Sequence, residues 1–383
     1  MLCQKALALY LHWPYCTSKC RYCAFNSVVC ANPDHETWRW AIMKELDCES
    51  LLLGNRRLSS IYFGGGTPSL IPANCVSNII DSAVGYWPSP DGIEITLEAN
   101  PTTADRDKLR KYLSAGVNRL SIGIQSFNDE LLHFLGRKHT AAQANNAFYT
   151  AQKAGFKNIS IDMIFAIPGQ TGSMLLDDLE MAINLNPQHI SAYQLSIEKG
   201  AKLYTDYAFG HFDMPKENNI IWQFDEICRK LTSAGYKHYE VSNFAKVGYE
   251  SRHNLTYWQY QEYLGLGPGA HSRIARSNEI FAAERTSNIQ QWLNDPIGGG
   301  RTSKLSKENV LSEILIMGLR TAQGAMMSTL MDKVGPQETV NFLESPKIKE
   351  LIKLGMLKKS SESMLIPEQH LLKTDAIIRE ILK

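Results

Sequence analysis

Tyr10-Leu-His12-Trp-Pro14-Tyr-Cys16-Thr-Ser-Lys-Cys20-Arg-Tyr22-Cys23 sets three cysteines at C-x-x-x-C-x-x-C spacing directly after an apolar run. Three thiolates gather on one short loop, and the number carries the information. A structural zinc site takes four protein ligands and closes on itself. An iron–sulfur cube normally takes four cysteines, one per iron. A cube held by three leaves one iron open to a small molecule. Half of a zinc site, completed by Cys30 or His12, is the plainer reading. It lacks the matching second pair, because Cys3, Cys30, Cys48, Cys75 and Cys228 are scattered singly.

Outward from this loop, short β-branched or aromatic runs alternate with amphipathic stretches to about residue 245. The pattern predicts strands at 7–12, 59–63, 92–98, 119–125, 158–165 and 189–198, with another near 237–242. Helices are predicted at 35–53, 72–84, 104–115, 141–154, 173–184 and 216–234, three of them ending at Gly116, Gly155 and Gly235. Such alternation implies an α/β fold of parallel βαβ units, and six of them suit an open, partial (β/α)6 TIM-like barrel over residues 1–245, although composition alone does not separate it from a doubly wound sheet. The segment 246–300 reads as a loop-rich connector carrying His253-Asn-Leu-Thr-Tyr257-Trp258. Residues 301–383 read as a mainly helical, winged-helix-like C-terminal domain, with helices at 307–321, 327–334 and 348–354 and strands at 356–357 and 364–366.

In a parallel barrel the reactive groups gather at the carboxyl ends of the strands. The polar residues follow that rule here. The cysteine loop follows the first strand, Gly64-Gly65-Gly66-Thr67-Pro68 the second, and Glu98 with Asn100-Pro101 the third. Gln125 ends the fourth, Asp162 lies in the fifth and Ser196 near the end of the sixth. Three glycines let a backbone approach a ligand closely and turn N–H groups toward an anion.

Composition excludes several classes. The 383 residues are 44% hydrophobic and 21% charged, with 40 basic against 39 acidic side chains, which gives no push toward nucleic acid. The cysteines are too sparse for a disulfide framework. Residues 1–11 lack the features of a signal peptide, and no run nears the ~20 apolar residues of a membrane span. A reducing cytoplasm is the expected location, or an organelle matrix if a transit peptide has been trimmed. Peripheral membrane contact and a homodimer stay open.

These motifs resemble the radical S-adenosylmethionine (SAM) enzymes, and more narrowly their oxygen-independent coproporphyrinogen III oxidase-like family. The resemblance rests on Tyr10-x-His12-x-Pro14-x-Cys16, Gly64 to Pro68, Glu98-x-Asn-Pro101, Ser121-x-Gly-x-Gln125-Ser-Phe, Leu135-Gly-Arg137-x-His139 and Asp162-x-Ile-x-x-Ile-Pro-Gly-Gln170, and it covers essentially the whole chain. It implies a 4Fe–4S cluster on Cys16, Cys20 and Cys23. It also implies a SAM pocket lined by Tyr10, Tyr22, Gly65, Gly66, Thr67, Glu98, Gln125, Arg137, Asp162 and Ser196. Gln125 and Arg137 could instead tie down loops.

The family contains a decarboxylating oxidase and a haem-chaperone branch. The oxidase carries a fourth cysteine where this chain has Phe25, and a longer segment ahead of the cluster loop, whereas here fifteen residues precede Cys16. Both departures point to the chaperone branch, as does the H-N-x-x-Y-W element, whose histidine the resemblance implicates in haem binding. Haem near His253, with His271 the weaker candidate, and transfer to acceptor haemoproteins are therefore expected. A lone histidine more often makes hydrogen bonds than ligates a metal. The oxidase itself and a zinc-stabilised interaction protein are the alternatives.

Overall fold

The computed structural model describes residues 5–89, 92–277 and 279–383; Cys3 lies outside them. In chain order the strands are β1 (Lys5–Trp13), the two-residue pair β2 (Tyr15–Cys16) and β3 (Val28–Val29), β4 (Arg56–Gly65), β5 (Glu94–Ala99), β6 (Arg119–Gln125), β7 (Asn158–Phe165) and β8 (His189–Gln194). They continue as β9 (Lys237–Glu240), β10 (Asn243–Ala245), β11 (Glu262–Leu266), β12 (His271–Arg276), β13 (Glu279–Glu284) and β14 (Arg301–Lys304). Helices α1 (His35–Leu53), α2 (Ala73–Tyr86), α3 (Arg106–Ser114), α4 (Asp129–Leu135), α5 (Ala141–Ala154), α6 (Gly172–Leu185), α7 (Lys202–Ala208), α8 (Glu217–Ser233) and α9 (Arg252–Trp258) lie between them.

β1, β4, β5, β6, β7 and β8 pair in that order, all parallel, as an open partial barrel. Leu7, Leu9 and Leu11 of β1, Ile61 and Phe63 of β4, and Leu120 and Ile122 of β6 are fully buried in one core cluster beneath the helices. Side chains alternate across a strand, so this apolar set leaves the other face of each strand to the lumen. Local signals start the helices as capping chemistry requires. Asp34 caps α1, and Thr140 with Gln143 forms a capping box on α5.

The loop-rich connector is corrected. Strands β11 to β14 extend the same sheet, β11 parallel to β1 and the next three antiparallel, so the sheet has twelve strands among the described residues. Glycine at 265, 267 and 269 suggested loops, but Gly265 lies inside β11, where an added Cβ would stand 2.2 Å from the His271 carbonyl oxygen. At the far edge, β9 and β10 form an antiparallel hairpin beside β8. The sixth barrel strand ends at Gln194, so Ser196 lies just past it.

Toward the C-terminus, a helix (Lys307–Gly318), a strand (Ala325–Met326), helices at Met327–Lys333, Pro336–Leu343 and Pro346–Lys353, then strands Lys358–Lys359 and Ser363–Leu365 follow the winged-helix order around their own core. This unit touches both edges of the open barrel. The Val241 N–H donates to the Arg320 carbonyl at 3.0 Å on the β9 side, and Arg273 pairs with Glu313 at 2.8 Å on the β12 side. Leu120→Ala, inside the main core, is expected to cost about 2–5 kcal/mol of unfolding free energy. The measurement is urea unfolding, with a lowered midpoint at unchanged slope.

Candidate functional site

The lumen of this barrel is polar, unlike the branched aliphatic layers that fill a closed one. Tyr62 of β4, Glu98 of β5, Arg119, Ser121 and Gly123 of β6, Asp162 of β7, and His189, Ser191 and Tyr193 of β8 line a cavity of about 400 Å³. Its mouth is formed by the cysteine loop, and Cys16, Cys20 and Cys23 all face it.

The loop is held from three sides. β2 pairs with β3, and the Val28 and Cys30 N–H groups donate to the carbonyls of Pro14 (2.8 Å) and Cys16 (3.0 Å). The Arg21 N–H donates to the Leu135 carbonyl of α4, and the Leu203 N–H of α7 donates to the Arg21 carbonyl. The Arg21 guanidinium adds bonds to the Phe134 carbonyl (2.9 Å) and the Asp206 carboxylate (2.8 Å). Both helices escaped the strand–helix reading because each is only seven residues long. Caps marked α4 all the same: Asn128 accepts from the Glu130 and Leu131 N–H groups, and Gly136 adopts φ +76°. Arg137, just beyond, sets Nη1 3.3 Å from Cys20 Sγ and donates from Nη2 to the Gly123 carbonyl at 2.7 Å. Among the described residues, no group of three His, Cys, Asp or Glu closes on a point tightly enough for a single metal ion. Ligands to a cube sit on separate irons and need not converge so tightly.

The glycine turn meets the loop backbone to backbone. Gly66 N–H donates to the Trp13 carbonyl at 2.6 Å and Thr67 N–H to the Tyr15 carbonyl at 2.9 Å. Gly65, at φ +112°, donates to Glu98 Oε2 at 3.2 Å. A Cβ on Gly66 would stand 2.6 Å from the Tyr15 oxygen and 3.0 Å from Cys16 Sγ. This corrects the expected anion cradle: the N–H groups of Gly65, Gly66 and Thr67 are all spent inside the protein.

Glu98 is half-buried, accepts the Tyr62 hydroxyl at 2.8 Å, and has its carboxyl pushed up to about 7, chiefly by desolvation. Burial also raises Asp162, which accepts the Ser121 hydroxyl at 3.0 and 3.1 Å. Gln125 lines the mouth at φ +69°, next to a break in register with β7. Its amide occupies the space where a Cβ on Gly123 would fall, 2.8 Å from Nε2. Tyr22 and Ser196 line the cavity too, the Tyr22 phenol held neutral by burial.

Two predicted residues stand apart. Tyr10 is outside the cavity lining, with its hydroxyl on His12 Nδ1 at 3.1 Å and its ring stacked on Tyr62. His253, on α9, is 1% exposed and closed in. Its Nδ1 meets the Ser60 hydroxyl at 2.8 Å, its Nε2 meets the Tyr257 hydroxyl at 2.7 Å, and its ring stacks on Tyr62. Burial, then Arg119, lowers its pKa to about 3. In this conformation both ring nitrogens of His253 are engaged, by the Ser60 and Tyr257 hydroxyls. Its neighbour Asn254 reaches the cavity instead. Arg119, His189, Ser191 and Tyr193 were missed, although the alternation of polar with apolar residues at 119–123 and 189–193 was their signal.

The chain sets a three-thiol loop over a polar parallel barrel, and residues 10–182 match the family model of the radical SAM superfamily. The chain is 38% identical over 360 residues to the bovine (Bos taurus) protein "Radical S-adenosyl methionine domain-containing protein 1, mitochondrial", covering 91% of this chain and 81% of that one. It is 31% identical over 361 residues to "Heme chaperone HemW" of Bacillus subtilis, at 94% and 95% coverage. The structure superimposes on the coproporphyrinogen III oxidase HemN of Escherichia coli with a TM-score of 0.80 at 22% identity, over 99% of this chain and 89% of that one, which shows the shared fold. This chain belongs to the HemW family of the radical SAM superfamily.

Glu98 yields a pH prediction. Its folded pKa of about 7 lies above the ordinary 4.5, so the folded state holds the proton more tightly than the unfolded one. The stability it contributes is complete below about 4.5 and is lost as pH rises through 7. Relative to wild type, Glu98→Gln is expected to gain about 3 kcal/mol between those values and no more above them. Urea unfolding of both proteins across pH 4.5–8 checks it, and a constant difference would contradict the assignment.

Proposed function

We propose that this chain is a radical SAM haem chaperone that holds a 4Fe–4S cluster on Cys16, Cys20 and Cys23, SAM beside it, and haem for delivery to acceptor haemoproteins. The observation that carries the choice is Phe25. It lines the cavity mouth 65% exposed, at the place where the oxidase branch has its additional cysteine. The HemW relatives, full-length in the Bacillus case, support the same choice. When bound, such a cluster supplies an open iron to chelate SAM and an electron at low potential.

The chain's own residues prepare that site. Arg137 sets its guanidinium against Cys20 Sγ at 3.3 Å, beside the loop that would carry the cluster. The carbonyl side of the Gly65–Gly66 turn would receive the ammonium end of SAM. Glu98, poised near neutral pH and tied to Tyr62, would ionise as that cation arrives. Gln125, Asp162, Tyr22, Thr67 and Ser196 would complete the pocket. Axial ligation of haem by His253 requires release of its bond to Ser60 or to Tyr257. Among the described residues no helix is long and apolar enough to cross a membrane. Thiols that must stay reduced to hold a cluster suit a reducing compartment such as the cytoplasm.

Anaerobic reconstitution of the pure protein tests the proposal. About four irons per chain, a Soret band on haem titration, and no conversion of coproporphyrinogen III to protoporphyrinogen IX are expected. Conversion would assign the chain to the oxidase branch, and zinc in place of iron would defeat the cluster. An unchanged haem spectrum in His253→Ala would remove that residue from the account.

A further inference from the structure

We propose that the floor of the lumen is a second binding site, for the carboxylate of a ligand, with Arg119 as its pairing cation. The proposal rests on the haem-chaperone reading and names a haem propionate as the group received.

Arg119 opens β6 at the end away from the cysteines, is 2% exposed, and lines the cavity. A guanidinium carries five N–H donors, and a buried charge is costly unless it is paired and hydrogen-bonded. Arg56 shows the usual outcome, with bonds to Glu262, the Leu53 carbonyl and the Ala275 carbonyl. The Arg119 Nε is enclosed without a hydrogen-bond partner. Glu94 Oε2 stands 4.0 Å from that nitrogen, beyond hydrogen-bond range.

The surrounding groups are engaged elsewhere. Glu94 Oε1 accepts the His253 N–H at 3.2 Å, and Asp162 is held by the Ser121 hydroxyl. His189 is bonded on both nitrogens, to the hydroxyls of Ser160 and Tyr239, each at 2.8 Å. It is kept neutral by burial and by Arg119. His253 is neutral for the same two reasons. The open side of the guanidinium is the cavity itself. A carboxylate arriving from there can accept two parallel N–H bonds, the geometry for which arginine is suited.

Two further features select a long, flat acid. Arg119 and Gln125 mark floor and mouth, separated by six residue steps of β6, or about 20 Å. Asn254 lines the same cavity from α9, so the H-N-x-x-Y-W element presents its asparagine, not its histidine, to the ligand. A porphyrin entering edge-on, propionate first, would meet Arg119 with its acid group and Asn254 with its edge.

The same chemistry could be met by the carboxylate of SAM, and one experiment separates the sources. Reconstituted wild type, Arg119→Gln and Arg119→Lys are titrated with haem, haem dimethyl ester and SAM. Thermal unfolding and cluster absorption establish that each variant is folded and loaded. Wild type should bind haem about tenfold or more tighter than the ester. Arg119→Gln should lose that preference with SAM affinity unchanged, and Arg119→Lys should keep part of it. A fall in SAM affinity alone would keep the carboxylate site but overturn the propionate. No change in either ligand would overturn the site. If wild type binds no haem, the chaperone reading fails, and the SAM titration alone decides the role of Arg119.

Discussion

The structure depends on one close approach, that of the glycine turn to the cysteine loop. Gly66 and Thr67 donate to the Trp13 and Tyr15 carbonyls, and a single methyl group on Gly66 would collide with Tyr15 and crowd Cys16 Sγ. Two neighbouring parallel strands, β1 and β4, thereby place their C-terminal loops in direct backbone contact. The thiols then sit at the mouth of the lumen instead of out in solvent. Every other feature of the site takes its position from that contact: Glu98 through the Gly65 N–H, Arg137 through Cys20, and the lumen through the strands that end there.

A polar lumen costs stability, and the chain contains that cost by pairing. Glu98 with Tyr62, Asp162 with Ser121, His189 with Ser160 and Tyr239, and His253 with Ser60 and Tyr257 each satisfy a buried group. Burial pushes the imidazoles of His189 and His253 low and the carboxyls of Glu98 and Asp162 high, shifting each toward its neutral form. Arg119 is the least well satisfied, with the Glu94 carboxylate at 4.0 Å and no hydrogen bond to its Nε. The docked C-terminal unit stiffens the arrangement by joining the two edges of the open barrel through Arg320 and Glu313.

Much of this was legible in the residues. The six barrel strands and their helices follow from period and glycine caps, and the three thiols and their rim partners from spacing. What could not be read locally depends on tertiary contact. Strands β11 to β14 hide behind glycines whose purpose is close packing, and the N–H groups of Gly66 and Thr67 are consumed by the carbonyls of Trp13 and Tyr15, far back in the chain. His253 shows the limit most clearly. A motif can mark a histidine, but only packing reveals that Ser60 and Tyr257 already occupy both of its nitrogens.

The central claim is that three thiolates leave one iron open for SAM. Electron paramagnetic resonance of the reduced, reconstituted protein, recorded with and without SAM, tests it most directly. A reduced 4Fe–4S signal whose g-values shift on adding SAM is the predicted result. A cluster signal indifferent to saturating SAM would contradict the account.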